Sequence, residues 1–125
     1  MKIGLYLDKV SMHILNQGIF VSCEPVERID AVQPGLVDER LNEKGNTFLV
    51  CDLEKEIQGK AKLTDAFITT FGEPYRIMLA YMGFKDEVEK FQAEYAGLFE
   101  KQFPEFSLME ETELLVCVYE PVQDS

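Results

Sequence analysis

Apolar residues alternate at the start of the chain, where Ile3, Leu5 and Leu7 are separated by Gly4 and Tyr6. That period of two predicts a first strand ending at Asp8. The spacing then lengthens. Val10, Ile14 and Leu15 recur as on a helix, behind an acid able to cap it, and Gly18 follows as a stop, so residues 9–17 are expected to form two helical turns. Ile19 to Cys23 reads as a second strand closed by Pro25. From Val26 to Asn46 the pattern weakens, with Pro34-Gly35 as a turn signal and a short helix expected over Leu36–Leu41. This stretch is expected to be the long connection of the fold, and connections of that length often carry a site.

Thr47–Cys51 is rich in β-branched and apolar residues, and Ala61 to Phe71 contains a second such run. With LEKEIQG as the polar reversal between them, the pair predicts a β-hairpin. Gly59 marks a bulge or the entry to its second strand, and Pro74 ends that strand. A short helix is expected over residues 75–82 before Gly83. Asp86 and Glu89 have the spacing of a capping box ahead of a longer helix, whose apolar stripe is Val88, Phe91, Tyr95, Leu98 and Phe99 and whose end is Pro104. Leu114 to Tyr119 forms a last strand, apolar enough to be central in its sheet. On this reading Leu5, Val50, Cys51, Phe91, Leu98 and Val116 share one core.

The order lacks the regular alternation of a doubly wound sheet. It predicts an α+β fold in which a mixed or antiparallel sheet curls into a small barrel with flanking helices. The 125 residues are expected to form a single domain, 1–125. Apolar residues make up 46%, with nine Phe and five Tyr, which excludes a disordered chain. Apolar runs are far shorter than a membrane span needs, and Asp8 interrupts any signal-peptide core. Cys23, Cys51 and Cys117 are odd in number and widely spaced, so they are read as reduced, mostly buried thiols of a cytoplasmic protein.

The net charge of −11 is unevenly spread: residues 86–125 hold eleven acids against two bases, and residues 1–85 hold twelve against ten. Any nucleic acid is therefore expected to meet the N-terminal two thirds, and any basic protein partner the acidic C-terminal third. His13 is the only histidine and is expected on the surface of the first helix, without a catalytic partner. With one His and no paired cysteines, no metal site is expected. Neither a G-x-x-x-x-G-K-[ST] loop nor a G-x-G-x-x-G turn is present, so no nucleotide cofactor is implied. What remains is a polar group around the long connection: Glu24, Glu27, Arg28, Asp38, Glu39 and Arg40, with Lys60 and Lys62 in the hairpin. Arg28 and Arg40 are planar forks suited to carboxylate or phosphate, although such residues also form ordinary surface ion pairs.

The order of elements, with Glu43-Lys44-Gly45-Asn46 leading into Thr47–Asp52, Gly59–Thr64 as the next strand, and Met82-Gly83-Phe84 before an amphipathic helix, resembles the ASCH domains. These are small relatives of the PUA-like β-barrels. The family's G-x-K-x-x-E-x-R motif would fall on Gly18–Pro25, where only the glycine matches: Phe20, Cys23 and Pro25 replace the Lys, Glu and Arg. Glu24 and Arg28 lie slightly further along. Some ASCH members are amidohydrolases of acetylated cytidine and depend on that Lys, so the resemblance implies a divergent member and the activity is not carried over. It implies a ligand-binding module for RNA, a nucleotide or a modified base, without catalytic residues or cofactor. Tyr6, Phe20, Glu24, Arg28, Arg40, Lys60 and Lys62 are its candidate contacts. The alternatives are an acidic protein-interaction domain and, third, a hydrolase of unknown substrate.

Overall fold

Strand β1 (Lys2–Tyr6) is followed by helix α1 (Lys9–Asn16), whose first turn is capped as the sequence predicts, the Asp8 carboxylate accepting from the Ser11 N–H at 2.7 Å. A computed structural model describes the backbone of residues 2–122 and the side chains of residues 5–122. After Gly18, which turns the chain with φ of +140°, come β2 (Phe20–Pro25), α2 (Val26–Val32) and α3 (Leu36–Leu41). The hairpin is β3 (Thr47–Cys51) and β4 (Ile57–Thr70), the helix pair is α4 (Arg76–Tyr81) and α5 (Val88–Gln102), and β5 (Glu113–Val122) closes the fold.

The five strands form one sheet in the order β1-β3-β4-β5-β2, parallel between β1 and β3 and antiparallel elsewhere. It is an α+β fold in which a curled mixed sheet makes a half-barrel with helices at its sides. The curl has a visible cause in β4. Its inward residues are Ala61 and Leu63, then Ala66 and Ile68, because the register with β5 slips between Leu63 and Asp65. A residue inserted there bends the strand and restores the same inward face beyond the bend. Polar side chains hold the bulge: the Thr64 hydroxyl donates to the Val118 carbonyl at 3.2 Å, and the Asp65 carboxylate accepts from the Ala66 N–H at 3.0 Å. A second slip, between Val50 and Cys51, sits opposite Gly59, where the sequence places a bulge.

Two cores lie on opposite faces of this sheet, not one. On the inner face Leu5, Phe48, Val50, Leu63, Leu115 and Tyr119 pack with Leu15, Ile29 and Val37 from the first three helices. On the outer face Leu114, Val116 and Val118 meet Met78 and Leu79 of α4 and Phe91 of α5. Thus Leu5 and Val50 are separated from Phe91 and Val116 by the sheet, and Cys51 is buried. Tyr95 joins α5 to β2 by donating to the Cys23 carbonyl at 2.8 Å. Near the end of β4, Gly72 lies so close to Glu110 that a Cβ there would come within 2.7 Å of the Glu110 side chain.

Three local expectations change. The connection after Pro25 is largely helical: α2 spans Val26–Val32 but buries only Ile29, so seven residues contain too little periodicity to announce a helix. The capping box does not form, since the α5 cap is Glu87 and makes no side-chain bond. Leu98 is 64% exposed, although its spacing puts it on the stripe of the buried Phe91. Truncating Phe91 to Ala should therefore cost about 3–5 kcal/mol, whereas Leu98→Ala should cost under about 0.5 kcal/mol. Urea unfolding of the two variants checks this, and similar losses for both would place the α5 stripe differently.

Candidate functional site

Strand β2 carries an inward face that is only partly apolar. Phe20, Ser22 and Glu24 alternate on it, and the register sets them opposite Tyr119, Cys117 and Leu115 of β5. Across the open seam of the half-barrel, β1 contributes Leu5 and Tyr6, followed by Leu7 just beyond it and by Asp8 and Ser11 of the α1 start. Helices α2 and α3 cover the inner end with Ile29, Gln33, Leu36 and Arg40. Leu53 of the β3–β4 turn and Gln102 at the end of α5 complete the rim. Together they enclose a cavity of about 610 Å³, within the range of small-molecule sites.

Aromatic rings form one side of it. Phe20 stacks on Tyr119 with centroids 6.2 Å apart and an angle of 28°, and Phe48 meets Tyr119 edge-on at 6.1 Å. Tyr6 is 49% exposed at the mouth. Burial pushes the Tyr119 phenol well above its ordinary range and the Cys117 thiol up to about 11, the nearby Arg40 charge opposing both shifts. Both floor groups are therefore neutral near pH 7 and offer polar hydrogens, not charges.

Arg40 is anchored from behind. Its guanidinium pairs with the Glu43 carboxylate at 3.0 Å, the two side chains being only 15% and 5% exposed, and it lies over the Phe48 ring at 4.9 Å. A buried pair of this kind holds one geometry, because losing either partner would strand a charge away from water. At the rim, the Ser11 N–H keeps the Asp8 carboxyl below its usual range, so Asp8 is an anion.

Four of the sequence-derived candidates, Tyr6, Phe20, Glu24 and Arg40, come together here. Arg28 points to a neighbouring groove, its guanidinium carbon 3.4 Å from the centre of the Phe103 ring, and only Gln102 borders both spaces. Of the two arginine forks that the sequence singles out, Arg40 lines the cavity and Arg28 does not. Lys60 and Lys62 alternate with the inward Ala61 and Leu63, so the pleat sends them to the other face. His13 is exposed on α1 beside the Gln17 amide at 3.0 Å and does not line the cavity. Among the described residues no cluster of His, Cys, Asp and Glu has the arrangement of a metal site.

Sequence reasoning missed Asp8, Ser22, Gln33, Cys117 and Tyr119. Ser22 had a signal: a serine and a glutamate at alternate positions on a strand that must bury one face. Cys117 and Tyr119 had none, because only the β2–β5 register reveals which half of β5 faces the cavity.

The buried thiols give the fold a dependence on alkaline pH. Desolvation raises Cys117 to about 11 and Cys23 to about 12 from 9.0, and Tyr95 and Tyr119 also shift upward. The folded state thus keeps protons that the unfolded chain releases. Stability should be complete below pH 9.0 and fall as pH rises from there through about 11 to about 12. Urea titrations across that interval test this, and a Cys23→Ala, Cys117→Ala variant should show a shallower decline. Constant stability up to pH 11 would contradict the burial assigned to these groups.

No protein-family model matches the sequence, and no curated protein sequence does. Solved structures do. A DUF984 protein from Enterococcus faecalis V583 superposes with a TM-score of 0.66 at 9% identity, over 98% of this chain and 76% of that one. The ASCH domain from Lactobacillus crispatus JV V101 superposes with a TM-score of 0.61 at 14% identity, over 94% of this chain and 79% of that one. At such identities the likeness is one of architecture, and the curled sheet with its flanking helices is an ASCH-like fold.

Proposed function

We propose that the protein is a binding module for a nucleobase, presented as a nucleoside or as an unstacked base of single-stranded RNA. The observation that carries this is the cavity at the seam: Phe20 and Tyr119 supply ring faces, Tyr6 borders the mouth, and Ser22, Glu24, Gln33 and Arg40 supply polar groups around them. A base is a flat apolar plate with a hydrogen-bonding edge, and such a mixture of groups matches both parts. The ASCH-like fold supports the same reading. With Arg40 committed to Glu43 and Lys60 and Lys62 on the other face, few cations are placed to meet a phosphate backbone. Recognition therefore rests on the base.

Calorimetric titration with nucleosides and short RNA oligomers tests the reading. Phe20→Ala should weaken binding by about 1–3 kcal/mol, the usual worth of stacking on one aromatic ring. Lys60→Ala combined with Lys62→Ala should leave affinity unchanged, and binding should depend little on salt. Absence of binding at near-millimolar ligand would overturn the reading and favour the acidic C-terminal third as a surface for a basic partner.

A further inference from the structure

The charged groups that line the cavity, among the described residues, are Asp8 from the start of α1, Glu24 from β2 and Arg40 from α3. They are not equivalent. The Arg40 charge is held at 3.0 Å against Glu43, which offsets part of it, although it still favours ionisation at Cys117 and Tyr119. Asp8 accepts from the Ser11 N–H and hydroxyl, neutral donors that keep it ionised. Glu24 is exposed on the inward face of β2, and its charge is felt at the Cys117 floor, where it opposes ionisation of the thiol. Two carboxylates against one partly offset guanidinium leave the formal balance of the lining negative, next to the stacked rings of Phe20 and Tyr119.

We propose that this cavity selects a positively charged planar ligand, a nucleobase whose ring carries a fixed positive charge through N-alkylation, over neutral bases and over nucleotides. Aromatic faces attract cations through their quadrupole, and a carboxylate at the edge of the same space adds a direct Coulomb attraction. A 5′-phosphate would bring a negative group to a rim that already holds Asp8, and it should weaken binding. The proposal rests on the nucleobase reading and adds the charge of the ligand to it.

The test compares N1-methyladenosine with adenosine and N7-methylguanosine with guanosine, by calorimetry at low salt, on the parent protein and on Glu24→Gln. Each pair differs by a methyl group and a positive charge. The parent should favour the methylated member by about tenfold. Glu24→Gln should remove most of that preference, lowering affinity for the methylated members far more than for adenosine and guanosine, while the unfolding transition stays as it is. Adding a 5′-phosphate should lower affinity for all four. Equal affinities within both pairs would overturn the charge selection and leave the nucleobase reading standing. A preference that survives in Glu24→Gln would overturn the role assigned to Glu24. Failure of all four nucleosides to bind would overturn both readings together.

Discussion

Six consecutive residues of β5, Leu114 to Tyr119, are buried, and this two-sided burial is the constraint from which the rest of the molecule follows. In a strand, neighbours point to opposite faces, so such a run must serve two cores at once. Leu114, Val116 and Val118 gather α4 and α5 on one side, and Leu115, Cys117 and Tyr119 gather the first three helices on the other. A slip of one residue against β2 would exchange the two sets and empty the cavity of its rings. The bulge at Thr64 lets the long β4 stay paired with β5 while it bends, so that the sheet curls and the edges β1 and β2 face each other across the cavity.

Much of the architecture is legible from local pattern. The period of two in Ile3–Leu7, the Asp8 cap, the apolar density of Thr47–Cys51 and the unbroken run before Tyr119 each carry enough information to place an element. What fails has a physical reason in each case. Helix α2 is short and buries one residue, so its sequence has little to repeat. Leu98 belongs to the apolar stripe by spacing, but at this end of α5 it is Phe99 that is covered, by Tyr95, Phe103 and Phe106, and Leu98 stays in water.

The candidate site was half visible for a similar reason. Tyr6, Phe20, Glu24 and Arg40 could be named because aromatic, acidic and guanidinium groups stand out in a sequence. Their company could not. Arg28 looks equivalent to Arg40 in composition, yet on α2 it sits one position before the inward Ile29 and lies over Phe103 instead. Arg40 also owes its setting to Glu43, a buried acid three residues on that reads as an ordinary surface charge in the sequence. Pairing within the protein fixes a nominal cation in place and offsets part of its charge, and this changes which ligands the space suits.

The central claim is that the space between the edge strands β1 and β2 is where the protein meets its ligand. Backbone amide shifts of isotope-labelled protein during titration with a binding nucleoside test it most directly. The account predicts that changes concentrate at Tyr6, Ser22, Glu24 and Gln33, with the outer face of α5 unaffected. Changes confined to Glu94, Leu98 and their neighbours on α5, with β2 silent, would contradict it.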